Sequence, residues 1–148
     1  MQFLIDKITK LRVGWNERPL TEEDFYSLCR HFGVTWIEAP LRKEGMYFCA
    51  NRGHFISFDV GLPERERLFV MFHEFAHFLM HEPSTAPTAA FHGVGPRTRA
   101  ETEADIFALA AVLPLSLISC RTPQELIDEG FPPDMVRARF ELYEARRI

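Results

Sequence analysis

The sequence predicts an α+β domain in which helices pack on a small antiparallel sheet. Three observations carry that expectation. Residues 63–82 are helix-length and apolar nearly all round (Leu68, Phe69, Val70, Met71, Phe72, Phe75, Phe78, Leu79, Met80), the pattern of a buried helix. Residues 98–113 make a second helix-length block whose latter part carries no charge. Between positions 34 and 59, three short segments are rich in aromatic and β-branched residues, as strands are. The 148 residues are 47% hydrophobic and 26% charged, which suits one domain spanning 1–148 and excludes disordered or collagen-like architectures.

Each element has its own signal. The helix-and-sheet unit, about 20–60, opens at Thr21, a hydroxyl cap followed by Glu22, Glu23 and Asp24 in the first turn. That helix runs through Phe25, Leu28, Cys29 and Phe32 and stops at Gly33. Val34–Glu38, Met46–Ala50 and His54–Asp59 are expected as two or three antiparallel strands. Asn51, Arg52 and Gly53 read as a three-residue turn with Gly in the left-handed position. Pro63 suits the first position of the next helix, Glu64 and Glu66 favour its positive end, and Pro83 ends it. Residues 83–97, dense in Pro, Thr, Ala, Gly and Ser, read as a long mobile loop. A helix over 98–113 follows. Two more occupy 122–148, one opening at Thr122 and Pro123 and the last at about Pro133.

Charge and cysteine usage narrow the function classes. A net charge of −4 lacks the basic excess of a general nucleic-acid or membrane binder. The C-terminal helix is basic through Arg137, Arg139, Arg146 and Arg147, but Glu141 and Glu144 interleave, the mark of a solvated face. Ile106–Cys120 is uncharged for 15 residues, yet Pro114 interrupts it, and it falls short of the ~20 residues a spanning helix needs. Met1–Val13 carries Asp6, Lys7, Lys10 and Arg12 without a cleavage pattern, so no signal peptide is expected. Cys29, Cys49 and Cys120 form no disulfide or metal pattern. A soluble, cytoplasmic protein with reduced thiols is the expectation.

The chemistry lies in the buried helix, where His73 and Glu74 are followed by His77 in an H-E-x-x-H sequence. Four helical residues give about 6 Å of rise and a 40° offset, so both imidazoles leave one face a turn apart. That spacing lets two neutral nitrogens reach one metal at about 2.0–2.1 Å. Glu74 lies to the side of the pair, placed to act as a general base on a water held there without ligating the metal. The plain alternative is two core histidines on an apolar helix. A third ligand argues against it. Glu101 and Asp105 are four apart and share a face, while Glu103 points to the opposite one. With Glu101 on the metal, Asp105 can accept from the far nitrogen of a ligand histidine and fix its tautomer. Ala104, Ala108 and Ala111 beside that face would let the two helices approach closely.

The remaining histidines have weaker claims. His81 is about 12 Å along the axis from His73, too far to share a metal, and reads as a helix-end residue near the C-terminal dipole. His31 and His54 read as structural or surface residues. His92, in the loop between the ligand-bearing helices, is a candidate oxyanion donor, with a solvated loop residue as the alternative.

These residues resemble the ImmA/IrrE family of zinc metallopeptidases. The resemblance rests on the block from His73 to His81, which holds His77, and on the block from Glu101 through Asp105 to Pro114. It extends more loosely over Thr21–Asp59. It implies a thermolysin-like, gluzincin-type core with Zn2+ on His73, His77 and Glu101, catalysis by Glu74, and Asp105 behind the ligands. It further implies proteolysis of a helix-turn-helix repressor in a stress-response or mobile-element circuit. Substrate backbone could add as a strand to an edge near His54–Asp59. Direct nucleic-acid or membrane binding is not expected. A second class stays open: a non-proteolytic, metal-bearing binding module or toxin–antitoxin component that sequesters a repressor. The intact Glu74 speaks against that reading, since a structural zinc needs no base.

Overall fold

The computed structural model describes residues 1–81 and 98–148. Among them the order is α1 (Gln2–Lys10), α2 (Glu22–Phe32), β1 (Val34–Ala39), β2 (Gly45–Ala50), β3 (Gly53–Asp59), α3 (Glu64–Met80), α4 (Arg99–Val112), α5 (Leu115–Ile118), α6 (Pro123–Asp128) and α7 (Pro133–Arg146). The expected loop over 83–97, with His92 in it, lies outside the described residues. No helix among the described residues is long and apolar enough to cross a membrane.

The helix boundaries follow local chemistry. Thr21 and Asp24 close a reciprocal capping box at the start of α2, and Thr122 and Glu125 do the same for α6. Gly33 ends α2 in the left-handed conformation at φ 69°. Pro63 stands one place earlier than expected, as the N-cap of α3 rather than its first residue. Helix α1 carries no acid in its first turn and no side-chain cap, which is why the sequence gives it no start signal. It is held by burial of Leu4 and Ile8, and Lys7 Nζ donates to the Leu79 carbonyl near the end of α3.

The sheet is mixed, not antiparallel. Its order is β1-β3-β2, with β1 parallel and β2 antiparallel to β3. Residues 40–44 carry the chain across the end of β3 from one edge to the other. There Leu41 N–H donates to Asp59 Oδ1, and Asp59 N–H donates to the Glu44 carbonyl. The chain then descends β2 and returns upward as β3 between the two earlier strands, in the direction of β1. Sequence neighbours β1 and β2 are therefore not spatial neighbours, and β3 is the central strand. The hairpin also differs from expectation. Ala50 faces Gly53 across a two-residue turn in which Asn51 and Arg52 take positive φ (48° and 63°), and Gly53 begins β3. Two positive φ values give a turn twist matched to the strands it joins.

Helix α3 is the spine. It packs along α4 more extensively than on any other helix and meets β2 and β3 on another side. Phe25 of α2 meets Phe58, Phe72 and Phe75 edge-on, which locates much of the Phe excess in one cluster between sheet and helices. Ala104, Ala108 and Ala111 are fully buried, in keeping with the close α3–α4 approach expected of them.

Arg139 does not belong to the solvated face expected from the interleaved charges of α7. It is fully buried, and its guanidinium donates to the carbonyls of Leu113 (2.6 Å) and Ile148 (2.8 Å) and to Asn16 Oδ1 (3.0 Å). Asn16 Oδ1 also accepts from Leu115 N–H, so one amide oxygen joins the segment before α2, the exit of α4 and α7. Burial brings the Arg139 pKa down to about 10.

Candidate metal centre

Two helices bring together three ligand atoms. His73 and His77 project from one face of α3, their ring centroids 4.9 Å apart, as residues one turn apart must. Glu101 enters from the first turn of α4, where the Thr98 hydroxyl accepts from Glu101 N–H at 3.2 Å and fixes the start of the helix. The distances are 3.1 Å between the two Nε2 atoms, 3.2 Å from His73 Nε2 to Glu101 Oε2, and 3.3 Å from His77 Nε2 to Glu101 Oε1. All three side chains are buried, and among the described residues this is the one group able to hold a metal ion.

The donor set fits a cation on chemical grounds. Asp105 Oδ1 lies 2.8 Å from His73 Nδ1, so the imidazole proton belongs on that side and Nε2 presents its lone pair to the centre. Lone pairs and carboxylate oxygens held this close repel one another unless a positive charge stands among them. Glu101 turns Oε2 to His73 and Oε1 to His77, so both carboxylate oxygens face the imidazole pair at 3.2–3.3 Å, a spacing that suits donors ~2.0–2.1 Å from one zinc ion. The surroundings favour positive charge too. Burial opposes charging His73, but the surrounding Asp105, Glu101 and Glu74 carboxylates prevail and push its pKa up to about 9, so a proton and a metal ion compete for Nε2.

Glu74 stands outside the ligand triangle, fully buried, and its Oε2 accepts from the backbone N–H of Tyr47 at 2.8 Å. The strand holding it is β2, which among the described residues pairs only with β3. Gly45, two residues earlier, explains how helix and strand come so close. A Cβ there would collide with Val70 Cγ1 and lie 3.2 Å from Glu74 Cγ. Neither Gly45 nor the Tyr47 amide was identified from the sequence. Their contribution comes from the backbone, and side-chain pattern does not register it.

The family model described as the IrrE N-terminal-like domain, a peptidase family, matches residues 29–143. The chain belongs to this family. The matched span runs from the end of α2 into α7 and takes in β1 to β3, α3 and α4, so it holds every residue of the metal-binding group. No curated protein and no solved structure matches the chain. The family points to a peptidase-type function, and the buried His-His-Glu group could hold a metal ion.

The other candidates fall away from the centre. Glu103 pairs with Arg99 at 2.9 Å on the far side of α4. His81 is the exposed C-cap of α3 at φ 58°, the helix-end place read for it. His31 is exposed at the end of α2, and His54 is half-buried on β3. The substrate edge expected near His54–Asp59 is overturned, because β3 has a strand on each side. The strand edge beside Glu74 is that of β2.

Proposed function

We propose that this protein is a cytoplasmic, zinc-dependent endopeptidase that cleaves a helix-turn-helix transcriptional repressor in a stress-response or mobile-element circuit. One observation carries the peptidase reading: a His73–His77–Glu101 triangle with a buried carboxylate, Glu74, beside it and held by a strand amide. Two neutral imidazoles and one carboxylate are the ligands of a catalytic zinc with a position left open, where a closed structural site would take four. The repressor assignment draws on the ImmA/IrrE resemblance.

When bound, the ion supplies Lewis acidity and makes water a competent nucleophile near neutral pH. His73, His77 and Glu101 would hold it, and Asp105 keeps the His73 proton on Nδ1 so that Nε2 stays free to bind. Glu74 takes the proton of the attacking water and returns it to the departing amine. The Tyr47 N–H orients the Glu74 carboxylate for both transfers. The substrate lies extended along β2, whose outer edge flanks Glu74.

The test is co-expression with a helix-turn-helix protein encoded beside this gene. Wild type cleaves the partner, and Glu74→Gln keeps metal and fold but leaves it intact. Full cleavage by Glu74→Gln overturns the mechanism. Stoichiometric partner binding without cleavage by either form replaces the peptidase with a metal-bearing binding module.

A further inference from the structure

A second cluster of reactive groups sits at the hairpin end of β2 and β3. Tyr47 Oη lies 2.8 Å from His54 Nδ1 and 3.2 Å from Cys49 Sγ, and Cys49 Sγ lies 3.5 Å from the same His54 nitrogen. The thiol is exposed, the imidazole half-buried and the phenol ring buried. Tyr47 stacks on His54 at a ring separation of 6.0 Å, and Phe78 packs edge-on against both, which holds the phenol and the imidazole in register.

We infer that Cys49, Tyr47 and His54 form a thiol-activating site at which Cys49 exchanges with small disulfides. The geometry supplies a proton path. In one arrangement that these distances allow, the Cys49 S–H donates to Tyr47 Oη, whose own O–H donates to His54 Nδ1. Moving both protons one place leaves a thiolate that accepts from Tyr47 and faces a protonated imidazole. Burial pushes the phenol pKa up, and so does the bond Tyr47 O–H donates to Cys49 once that group is a thiolate, so Tyr47 relays a proton and does not keep the negative charge itself. In the exchange, Cys49 Sγ attacks one sulfur of the small disulfide and the S–S bond breaks. One half stays on Cys49 as a mixed disulfide. The other leaves as a thiol carrying the proton that Cys49 gave up, or as a thiolate with that proton released to solvent.

The other cysteines serve as internal controls. Cys29 is buried, and burial pushes its thiol up to about 12. Cys120 is exposed, like Cys49, and has a cation near it, Arg121 Nη1 at 3.7 Å. Its thiol proton, however, points to the Ser116 and Leu117 carbonyls at 3.1 and 3.6 Å, which accept a hydrogen bond but cannot take the proton. An acceptor base is what separates the two exposed thiols, and the inference needs no peptidase activity.

The experiment treats the whole metal-loaded protein with a chromogenic nitrobenzoate disulfide and maps the adducts to each cysteine over time. Cys49 should react about a hundredfold faster than Cys120, the low end of what a positioned base supplies, and Cys29 should stay unmodified. His54→Gln should bring the Cys49 rate down to that of Cys120 and leave the Cys120 rate unchanged. Tyr47→Phe, which removes the relay oxygen, should slow Cys49 in the same direction. A Cys49 no faster than Cys120 in the wild type overturns the inference without recourse to any variant. So does a Cys49 rate that survives His54→Gln in protein with unchanged metal content.

Discussion

The Tyr47 backbone N–H donates to Glu74 Oε2 at 2.8 Å, across 27 positions of sequence. The contact ties a fully buried carboxylate outside the ligand set to the edge strand of the sheet. A main-chain donor cannot swing away as a side chain can, so the carboxylate keeps one orientation relative to the ligands on its own helix. It also requires strand and helix to meet more closely than any side chain at position 45 would permit.

Gly45→Ala should therefore displace Glu74 while sparing the ligands. The added methyl meets Val70 Cγ1 and crowds Glu74 Cγ. Overpacking of this kind costs about 1–3 kcal/mol. Urea unfolding should register that loss, metal analysis should show retained stoichiometry, and peptide cleavage should fall far more than stability does.

Asp105→Asn keeps the shape behind His73 but removes the carboxylate that faces Nδ1 at 2.8 Å. Loss of such a partner typically weakens metal binding about 10–100-fold. Competition against a chromogenic chelator should show that weakening, with the helix content of the protein unchanged.

Metal removal should lower stability as well as activity, because the three ligand atoms are brought together only in the folded chain. With free metal at a hundred times its dissociation constant, linkage predicts about 2.7 kcal/mol of stabilisation. Thermal unfolding with and without chelator, at fixed protein concentration, measures it. A midpoint that does not move would mean the triangle holds no ion.

Arg139→Ala should destabilise without touching the centre directly. It leaves the Leu113 and Ile148 carbonyls and Asn16 Oδ1 without this donor and opens a cavity between α7 and the exit of α4. A loss of about 2–4 kcal/mol is expected from the unmet acceptors and the void, read as a shift of the urea midpoint. Arg139→Met fills more of the space and should recover part of it.

Asp24 gives the protein a defined acid dependence. The hydrogen bonds from Arg18 hold its carboxyl below the usual value of 3.8, with Thr21 adding to the effect and partial burial opposing it. A depressed carboxyl contributes stability that is present above the unfolded value and lost as pH falls through the folded one. Asp24→Asn should therefore cost about 1 kcal/mol at pH 7, a cap-sized effect at a half-exposed site. The gap between the two proteins should close under acid, below pH 3.8. Paired urea titrations at neutral and acid pH follow it.

The metal-binding group was legible in the sequence because it obeys one helical period twice. His73 and His77 are four apart on α3, and Glu101 and Asp105 are four apart on α4, and the structure turns both pairs toward one point. The caps at Thr21 and Thr122 were legible for a similar reason, being local side-chain chemistry. The strand order was not, since nothing within 34–59 reports that the chain crosses the end of β3 before descending β2. Arg139 was misread because a charge pattern along α7 says nothing of the carbonyl ends it faces. Gly45 and Tyr47 act through their backbones, on a helix that begins only after β3 is complete.

The division of the centre between α3 and α4 has a mechanical consequence. His73 and His77 lie on α3 with Glu74 between them, and Glu101 and Asp105 arrive from α4. The centre thus closes through a single joint, the seating of α4 against α3. Any perturbation that loosens this joint, however remote, lengthens the Glu101 side of the triangle first. Metal affinity in this protein is then a gauge of helix seating, readable in variants that never touch a ligand.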